Sequence, residues 1–304
     1  MKKLLALATT AALSTSAVAT PTIFGEVSQY NKKSEEISVT GSHNSENETA
    51  LQGSYRMANG LILGAESAYD WSSDSKGISE TSLGAAYRFN INDNFYIMPQ
   101  AIYTFQDRDS QYSEWLVDDP QLGFQTQNYN QGDKWEIGLQ TGYHMDNGFF
   151  VAGRYGYGKS DDTFNIKHYN TLPGFEEELI GTVMMDENIP THTFDLTAGY
   201  EIPNVAVFTA TWTHARTADN VTMTYVDAVD PGMSVDNSLT GDVKGKSNEV
   251  EIKAAYLGMG NIQPFVSYTV KDDYNFSSDF NAIGDSDITG KADNVLQVGV
   301  TVNF

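Results

Sequence analysis

The chain has 304 residues, 40 acidic against 18 basic, and no cysteine. A formal charge of −22 excludes the phosphate-neutralising face that nucleic acid needs, and an exported chain without cysteine has no disulfide framework. No stretch beyond the leader carries about 18 consecutive apolar residues, which excludes a membrane helix; a mean hydropathy of −0.37 leaves a membrane β-barrel open, because its lipid-facing and lumen-facing residues cancel in any average.

The chain opens with Lys2 and Lys3, a short apolar run from Leu4 to Ala12, and the small-residue site Ala17-Val18-Ala19. This predicts a secretory signal peptide over residues 1–19, too short in its apolar part to span a bilayer. Residues 20–304 then form a single barrel domain. The first strand is expected at Ile23–Tyr30, with Ile37–Gly41 as the alternative. Strands at Leu51–Met57 and Leu61–Trp71 follow, joined by Asn59-Gly60. The piece SYRMANGLILGAES recurs 88 positions later as GYHMDNGFFVAGRY, Gly142 to Tyr155, with Asn147-Gly148 at its centre. In both copies Asn-Gly supplies the positive φ of a tight hairpin turn. Further hairpins are predicted over Thr81–Phe89 and Phe95–Phe105, His192–Tyr200 and Val205–Thr213, and Val250–Tyr256 and Ile262–Val270. Ala292–Phe304 closes a set of twelve strands.

The connections alternate. One end has short turns. The other has long polar segments, read as loops, at Asn31–Glu48, Arg108–Gly132, Ser160–Pro190, Thr217–Gly245 and Asn275–Lys291, with Ser72–Lys76 shorter. An even number of antiparallel strands with this asymmetry is the pattern of a transmembrane β-barrel of the outer membrane, with short periplasmic turns and long extracellular loops. Aromatic residues sort into two rows on the apolar face, Tyr55, Tyr87, Phe89, Phe95, Tyr143, Phe149, Tyr200 and Tyr256 beside the short turns, and Tyr69, Trp71, Tyr103, Phe105, Trp135, Tyr155, Tyr157 and Tyr268 at the far ends. Two aromatic belts around an aliphatic band are what a membrane interface selects; a soluble β-sandwich has no reason to sort them. The last strand alternates Leu296, Val298, Val300, Val302 and ends on Phe304, as in barrels inserted by the barrel-assembly machinery.

The pieces YRMANGLILGAES, YRFNINDNFYIMPQAIYTFQ, GYHMDNGFFVAGRY, HTFDLTAGYEIPNVAVF, EIKAAYLGMGNIQPFVSY and LQVGVTVNF resemble, in order and spacing, the small monomeric porins of the oligogalacturonate-specific (KdgM-like) family. The resemblance implies a monomeric twelve-stranded channel passing acidic oligosaccharides, such as pectin fragments or sialylated sugars, through a basic lumen. The alternation departs from this expectation. It turns Arg56, Arg88, Arg154, Lys253 and Lys271 inward, but also Glu26, Glu66, Asp70, Glu80, Glu136, Asp195, Glu201, Glu249 and Glu251. Arg56, Arg88 and Arg154 form either a local basic track, since the planar guanidinium fork suits carboxylates, or a structural network with Glu66, Glu80 and Glu136. The excess of acids predicts weak cation selectivity. Tyr96 and Phe150 point inward as platforms for sugar stacking, and Arg108–Gly132 and Ser160–Pro190 are the expected constriction loops.

The reading is a channel for passive diffusion of small hydrophilic solutes, with oligosaccharides foremost. The alternative is a recognition or structural barrel with a closed lumen, acting through its acidic loops. No Ser/His or Asp/His hydrolase pattern is present; His214, with Asp107 and Asp109 as rim partners, is the best candidate base, and the chain is read as no enzyme. No cofactor is expected. Asp118-Asp119, Asp161-Asp162, Glu176-Glu177-Glu178, Asp272-Asp273 and Asp285/Asp287 offer oxygens to Ca²⁺ or Mg²⁺ and a bridge to lipopolysaccharide, though none has an EF-hand spacing; a solvated acidic surface is the simpler account.

Overall fold

The computed structural model describes residue 24 and residues 35–71, 76–106, 108–115, 124–170, 178–227, 237–280, 284–290 and 293–304. These form one antiparallel sheet of seventeen strands. Twelve staves make a closed barrel, in wall order β1 (Glu36–Asn44), β2 (Glu48–Arg56), β3 (Leu61–Asp70), β4 (Gly77–Tyr87, continued after Arg88 by β5, Phe89–Asn90), β6 (Phe95–Gln106), β9 (Lys134–His144), β10 (Phe149–Asn170), β11 (Glu178–Ile202), β12 (Ala206–Asp227), β13 (Asn237–Tyr256), β14 (Ile262–Lys271) and β17 (Val295–Asn303).

Closure is made by β1 on β17, in register from Ser38↔Asn303 to Asn44↔Gln297. On its inner face side chains join across the seam. Ser38 Oγ donates to Asn303 Oδ1 at 2.6 Å, the Thr40 and Thr301 hydroxyls meet at 2.9 Å, and Gln297 Nε2 donates to Ser42 Oγ at 2.9 Å. Closure leaves the membrane-spanning part of the wall without an unpaired strand edge, so its backbone is satisfied within the sheet.

The repeated piece is one turn used twice. Gly60 N donates to Met57 O and Gly148 N to Met145 O, both at 3.0 Å, while Asn59 and Asn147 each accept from the residue two ahead. The two glycines sit at φ 96° and 89°. Each also lies against the next strand: Gly60 O accepts from Arg88 N and Gly148 O from Glu201 N, both at 2.9 Å. A Cβ there would stand 2.6 Å from Arg88 O or 2.3 Å from Glu201 O. Glycine is therefore demanded both by backbone conformation and by the approach of the third strand.

Polarity is inverted relative to a soluble domain. Leu51 and Ile252 are each 61% exposed on the outer face, whereas Tyr96, Met98 and Phe150 on the inner face are 0% exposed. Around the outer face run Leu63, Leu83, Ile137, Leu139, Leu196, Val266 and Val298, all exposed. The aromatic rows bracket this band, with ring pairs Tyr87–Phe89 (4.6 Å) at the short-turn end and Tyr69–Trp71 (4.6 Å), Tyr103–Phe105 (4.8 Å) and Trp135–Tyr157 (5.7 Å) at the other. So large an exposed apolar belt is what lipid covers. Among the described residues no helix is long and apolar enough to cross a membrane; a barrel crosses with strands.

Two expectations change. Of the alternatives for the first strand, the stave is the later one, Glu36–Asn44. Residues 25–30 of the other lie outside the described residues, and Phe24 forms a turn. The long connections are also largely strand, not loop. β10 to β13 run for 22, 25, 22 and 20 residues, about twice what a bilayer needs. Hairpin β7 (Arg108–Trp115) and β8 (Phe124–Gln131) pairs with the upper half of β10, and hairpin β15 (Tyr274–Phe280) and β16 (Gly284–Gly290) with the upper half of β13. The result is a palisade on one side of the barrel, in the order β7-β8-β10-β11-β12-β13-β15-β16. Backbone pairing organises these polar segments where no apolar stripe does.

Candidate functional site: the barrel lumen

Every stave alternates, so the lumen surface follows from register. Arg56, Arg88, Arg154, Lys253 and Lys271 lie on the inner face with Glu66, Asp70, Glu80, Glu136, Asp195, Glu201, Glu249 and Glu251. Glu26 lies outside the described residues. Sequence reasoning missed Glu36 and Glu48 because both fell in a segment read as a loop; the alternation Glu36-Ile37-Ser38-Val39-Thr40 was the available signal.

The arginines separate into different environments. On the middle of the wall, Arg154 of β10 stands opposite Asp195 of β11 and donates from Nε to its Oδ2, while Nη1 donates to Glu136 Oε1 at 2.6 Å. Gly156 makes room for this bridge, since a Cβ there would lie 2.9 Å from Glu136 Oε1. Of the arginine–glutamate pairs expected from sequence, this is one that forms. Arg56 lies 3.7 Å from Glu36, and Arg88 donates from Nε to Asn90 Oδ1 at 2.8 Å. Glu80 accepts from Gln106 Nε2 at 3.3 Å and Glu48 from Ser79 Oγ at 3.4 Å.

A repeated construction lies toward the short-turn end. Three inward aromatic residues each sit directly opposite a glycine of the next stave: Tyr96↔Gly142, Phe150↔Gly199 and Phe265↔Gly299. Each ring lies over its glycine so closely that a Cβ would come within 2.3, 2.2 and 2.4 Å of it. The other side of each ring carries a nitrogen base. Arg88 stands 4.0 Å above Tyr96, Lys253 Nζ stands 3.9 Å above Phe265, and the His144 imidazole stacks on Phe150 at 5.0 Å and 18°. Cation–π attraction fixes Arg88 and Lys253 on rings already flattened against the wall. Tyr96 and Phe150 are thus wall elements, fully covered on both sides, which corrects their expected role as platforms for a sugar; the glycine opposite is what lets the ring lie down.

Charge is consequently divided along the axis. In the short-turn third the cations Arg56, Arg88 and Lys253 stand with Glu36 and Glu201. Beyond it Glu48, Glu66, Asp70, Glu80, Glu136, Asp195, Glu249 and Glu251 stand with Lys134, Arg154 and Lys271. Between the charges the lining is hydroxyl and amide, including Thr197 and Thr211 (3.0 Å apart), Ser82 and Thr104 (2.8 Å), and Ser267 with Gln297 (3.3 Å).

At the rim, His214 Nδ1 meets Asn248 Oδ1 at 2.9 Å and its ring stacks on Trp212 at 6.0 Å. Asp107 lies outside the described residues, as do Asp118-Asp119, Glu176 and Glu177. Among the described residues no three histidines or carboxylates are grouped to hold a metal ion.

The chain belongs to a family of unknown function (DUF6850), whose model matches residues 9–174. No curated protein matches it. Among solved structures it is similar to the NanC porin (14% identity, TM-score 0.44, covering 88% of this chain and 98% of that one). It is also similar to the KdgM porin in complex with disordered oligogalacturonate (13%, 0.45, 88% and 99%), and to the toluene transporter TodX of Pseudomonas putida (8%, 0.49, 93% and 93%). Likenesses at these identities concern the fold alone.

Proposed function

We propose that the chain is an outer-membrane channel for passive diffusion of small hydrophilic solutes, with its short turns in the periplasm and its palisade outside the cell. The observation that carries this reading is the inverted barrel: a hydroxyl-, amide- and charge-lined interior inside an apolar, aromatic-rimmed exterior. A wall that is polar inside and sealed by its own hydrogen bonds gives a hydrated solute a path that lipid does not. Neutral hydroxyl and amide lining suits sugars. Acidic oligosaccharides follow from the sequence resemblance and from Arg56, Arg88 and Lys253 near the periplasmic mouth, with Arg154 engaged by Glu136 and Asp195. The pore-lining residues that set selectivity are therefore the mouth cations and the carboxylates Glu66, Asp70, Glu80, Glu136, Glu249 and Glu251.

Single-channel recording of the refolded protein in a planar bilayer tests the reading: discrete conductance steps are expected, and a folded but silent barrel overturns it. Cysteine labelling of intact cells tests orientation. Asn147→Cys should be protected from an impermeant maleimide and Asp272→Cys modified; the reverse pattern inverts the topology. The palisade gives a second reading some weight, a surface recognition barrel acting through its acidic strands, and silence in the bilayer would favour it.

A further inference from the structure

One part of the lumen is apolar. Ile62 of β3, Ala86 of β4, and Met98 and Ile102 of β6 lie on the inner face of three neighbouring staves, and they are 1%, 3%, 0% and 5% exposed. A barrel one sheet thick has no second layer behind it, so an apolar residue pointing inward is buried by its inward neighbours on the wall together with whatever else lies inside the lumen. That cover includes Phe24, a residue in no strand, which is 5% exposed and clusters with Ile62, Ala86, Tyr96, Met98 and Ile102. Tyr96, pinned between Gly142 and Arg88, borders the patch.

The wall and its occupant match. Apart from the laid-down rings and the pair Val207↔Ala255 on the other side of the barrel, the inner face is mostly hydroxyl, amide and charge, which a phenylalanine would not seek out; here it clusters with aliphatic carbon and a ring. Ile62, Ala86 and Tyr96 stand next to the short turns, so the patch lies at the inner mouth, the same end at which β1 starts at Glu36. Cleavage after Ala19, as the leader sequence predicts, would leave Phe24 the fifth residue from the new N-terminus.

We infer that this patch is the docking site of the Phe24 side chain, and that the ring seated there narrows the pore from within at its periplasmic half. The inference rests on the channel reading above. It makes Phe24 a plug residue, held by apolar contact and released by its loss.

The chain has no cysteine, so a pair can be introduced cleanly. Gly25→Cys with Gln100→Cys, which leaves Phe24 and the apolar patch intact, is treated with a short bis-maleimide in the folded, detergent-solubilised barrel and the product is weighed. The control pair is Gly25→Cys with Ser267→Cys, on the opposite wall. Phe24→Ser and wild type are recorded in planar bilayers, and heat-modifiable gel mobility checks that each variant is folded. Expected are an intramolecular cross-link for the first pair and none for the control, a conductance roughly twofold higher in Phe24→Ser, as when a ring leaves a narrow lumen, and the lower level retained in the cross-linked protein. Free labelling of Gly25→Cys by an aqueous maleimide without cross-linking, with Phe24 in place, overturns the docking; a cross-link between two molecules gives the patch to a second copy and overturns it equally. Cross-linking with identical conductance in wild type and Phe24→Ser overturns the narrowing. If both are silent the channel reading fails, while the cross-link still decides the docking.

Discussion

Gly199→Ala adds one methyl group where the wall has no room for it. The new Cβ would lie 2.2 Å from Phe150 Cζ and 2.7 Å from Cε1 and Cε2, against an ordinary carbon–carbon separation of about 3.5–4.0 Å. The ring must therefore retreat by about 1 Å or more, but His144 stacks on its far side at 5.0 Å and the residue has no exposed surface. Neither direction is open. Overpacking of this kind costs about 1–3 kcal/mol, and clamping on both sides places Gly199→Ala toward the upper end. With a urea slope of about 1–3 kcal/mol per molar, the unfolding midpoint in lipid vesicles, followed by tryptophan fluorescence, should fall by roughly 1 M. Gly53→Ala is the control: nothing lies within 4 Å of its added Cβ, and removing a strand glycine there should be neutral or slightly stabilising. Shortening the ring should rescue the clash, so Phe150→Leu with Gly199→Ala should be more stable than the summed single effects by about 1 kcal/mol or more. A Gly199→Ala barrel within about 0.5 kcal/mol of wild type, or an additive cycle, would refute the argument that the glycine exists to lay the ring down.

Other consequences follow from the charges. Arg154→Met leaves Glu136 and Asp195 facing each other in a part of the wall that is mostly buried; destabilisation of about 3 kcal/mol is expected, discounted toward 1–2 if lumen water reaches the pair, and adding Glu136→Gln and Asp195→Asn should recover most of it in the same urea assay. Carboxylates in excess along most of the lumen predict weak cation selectivity that fades as salt shortens the Debye length; a clear anion preference in a salt gradient at low and high salt would mean the mouth cations alone decide. Because the acidic portion and the basic mouth lie in series, current at low salt should be larger when the palisade side is positive, since cations then enter through the acidic end and anions through the basic one; a symmetric current–voltage curve would show that the axial division is too weak to matter.

The barrel wall was legible wherever lipid imposed a rule. Leu61 to Asp70 alternates because one side meets hydrocarbon and the other water, and the observed strand has the same faces and nearly the same limits. Beyond the span that lipid surrounds, the rule no longer applies. Ser160 to Asn170 pairs along its length with Glu178 to Ile189, yet nothing in its composition separates one face from the other, and such a segment reads as a loop. Ile37–Gly41 fails for a related reason. Its outer face offers Ile37 and Val39 and then Gly41, too little apolar pattern to outrank Ile23–Tyr30. What selects it is pairing with the far end of the chain, Val39↔Val302 and Gly41↔Val300, a contact no local pattern encodes.

The lumen was legible in composition and illegible in arrangement, and the same physics explains both. Alternation tells which side chains point inward, so Arg88, Tyr96, Phe150 and Lys253 could be listed from sequence. What each does depends on its neighbour across the sheet. Tyr96 takes its glycine from Gly142 and its cation from Arg88, on staves reached through separate hairpins. Lys253 reads as a free lumen charge until β14 brings Phe265 beneath it and β17 brings Gly299 beneath Phe265. Once register is known the rule is simple: an inward aromatic opposite a glycine lies flat, and a base beside it settles on its face. A flat ring leaves the pore open where an upright one would fill it, so the glycines set the bore while the bases they indirectly position set the charge of the mouth. Phe24 is the counter-case. It has no cross-strand glycine and no place in the wall, and it clusters where Ile62, Met98 and Ile102 break the polar pattern of the inner face. Such breaks can be read from sequence by alternation; which of them takes an occupant, and which, like Val207 and Ala255, pairs across the wall, depends on register.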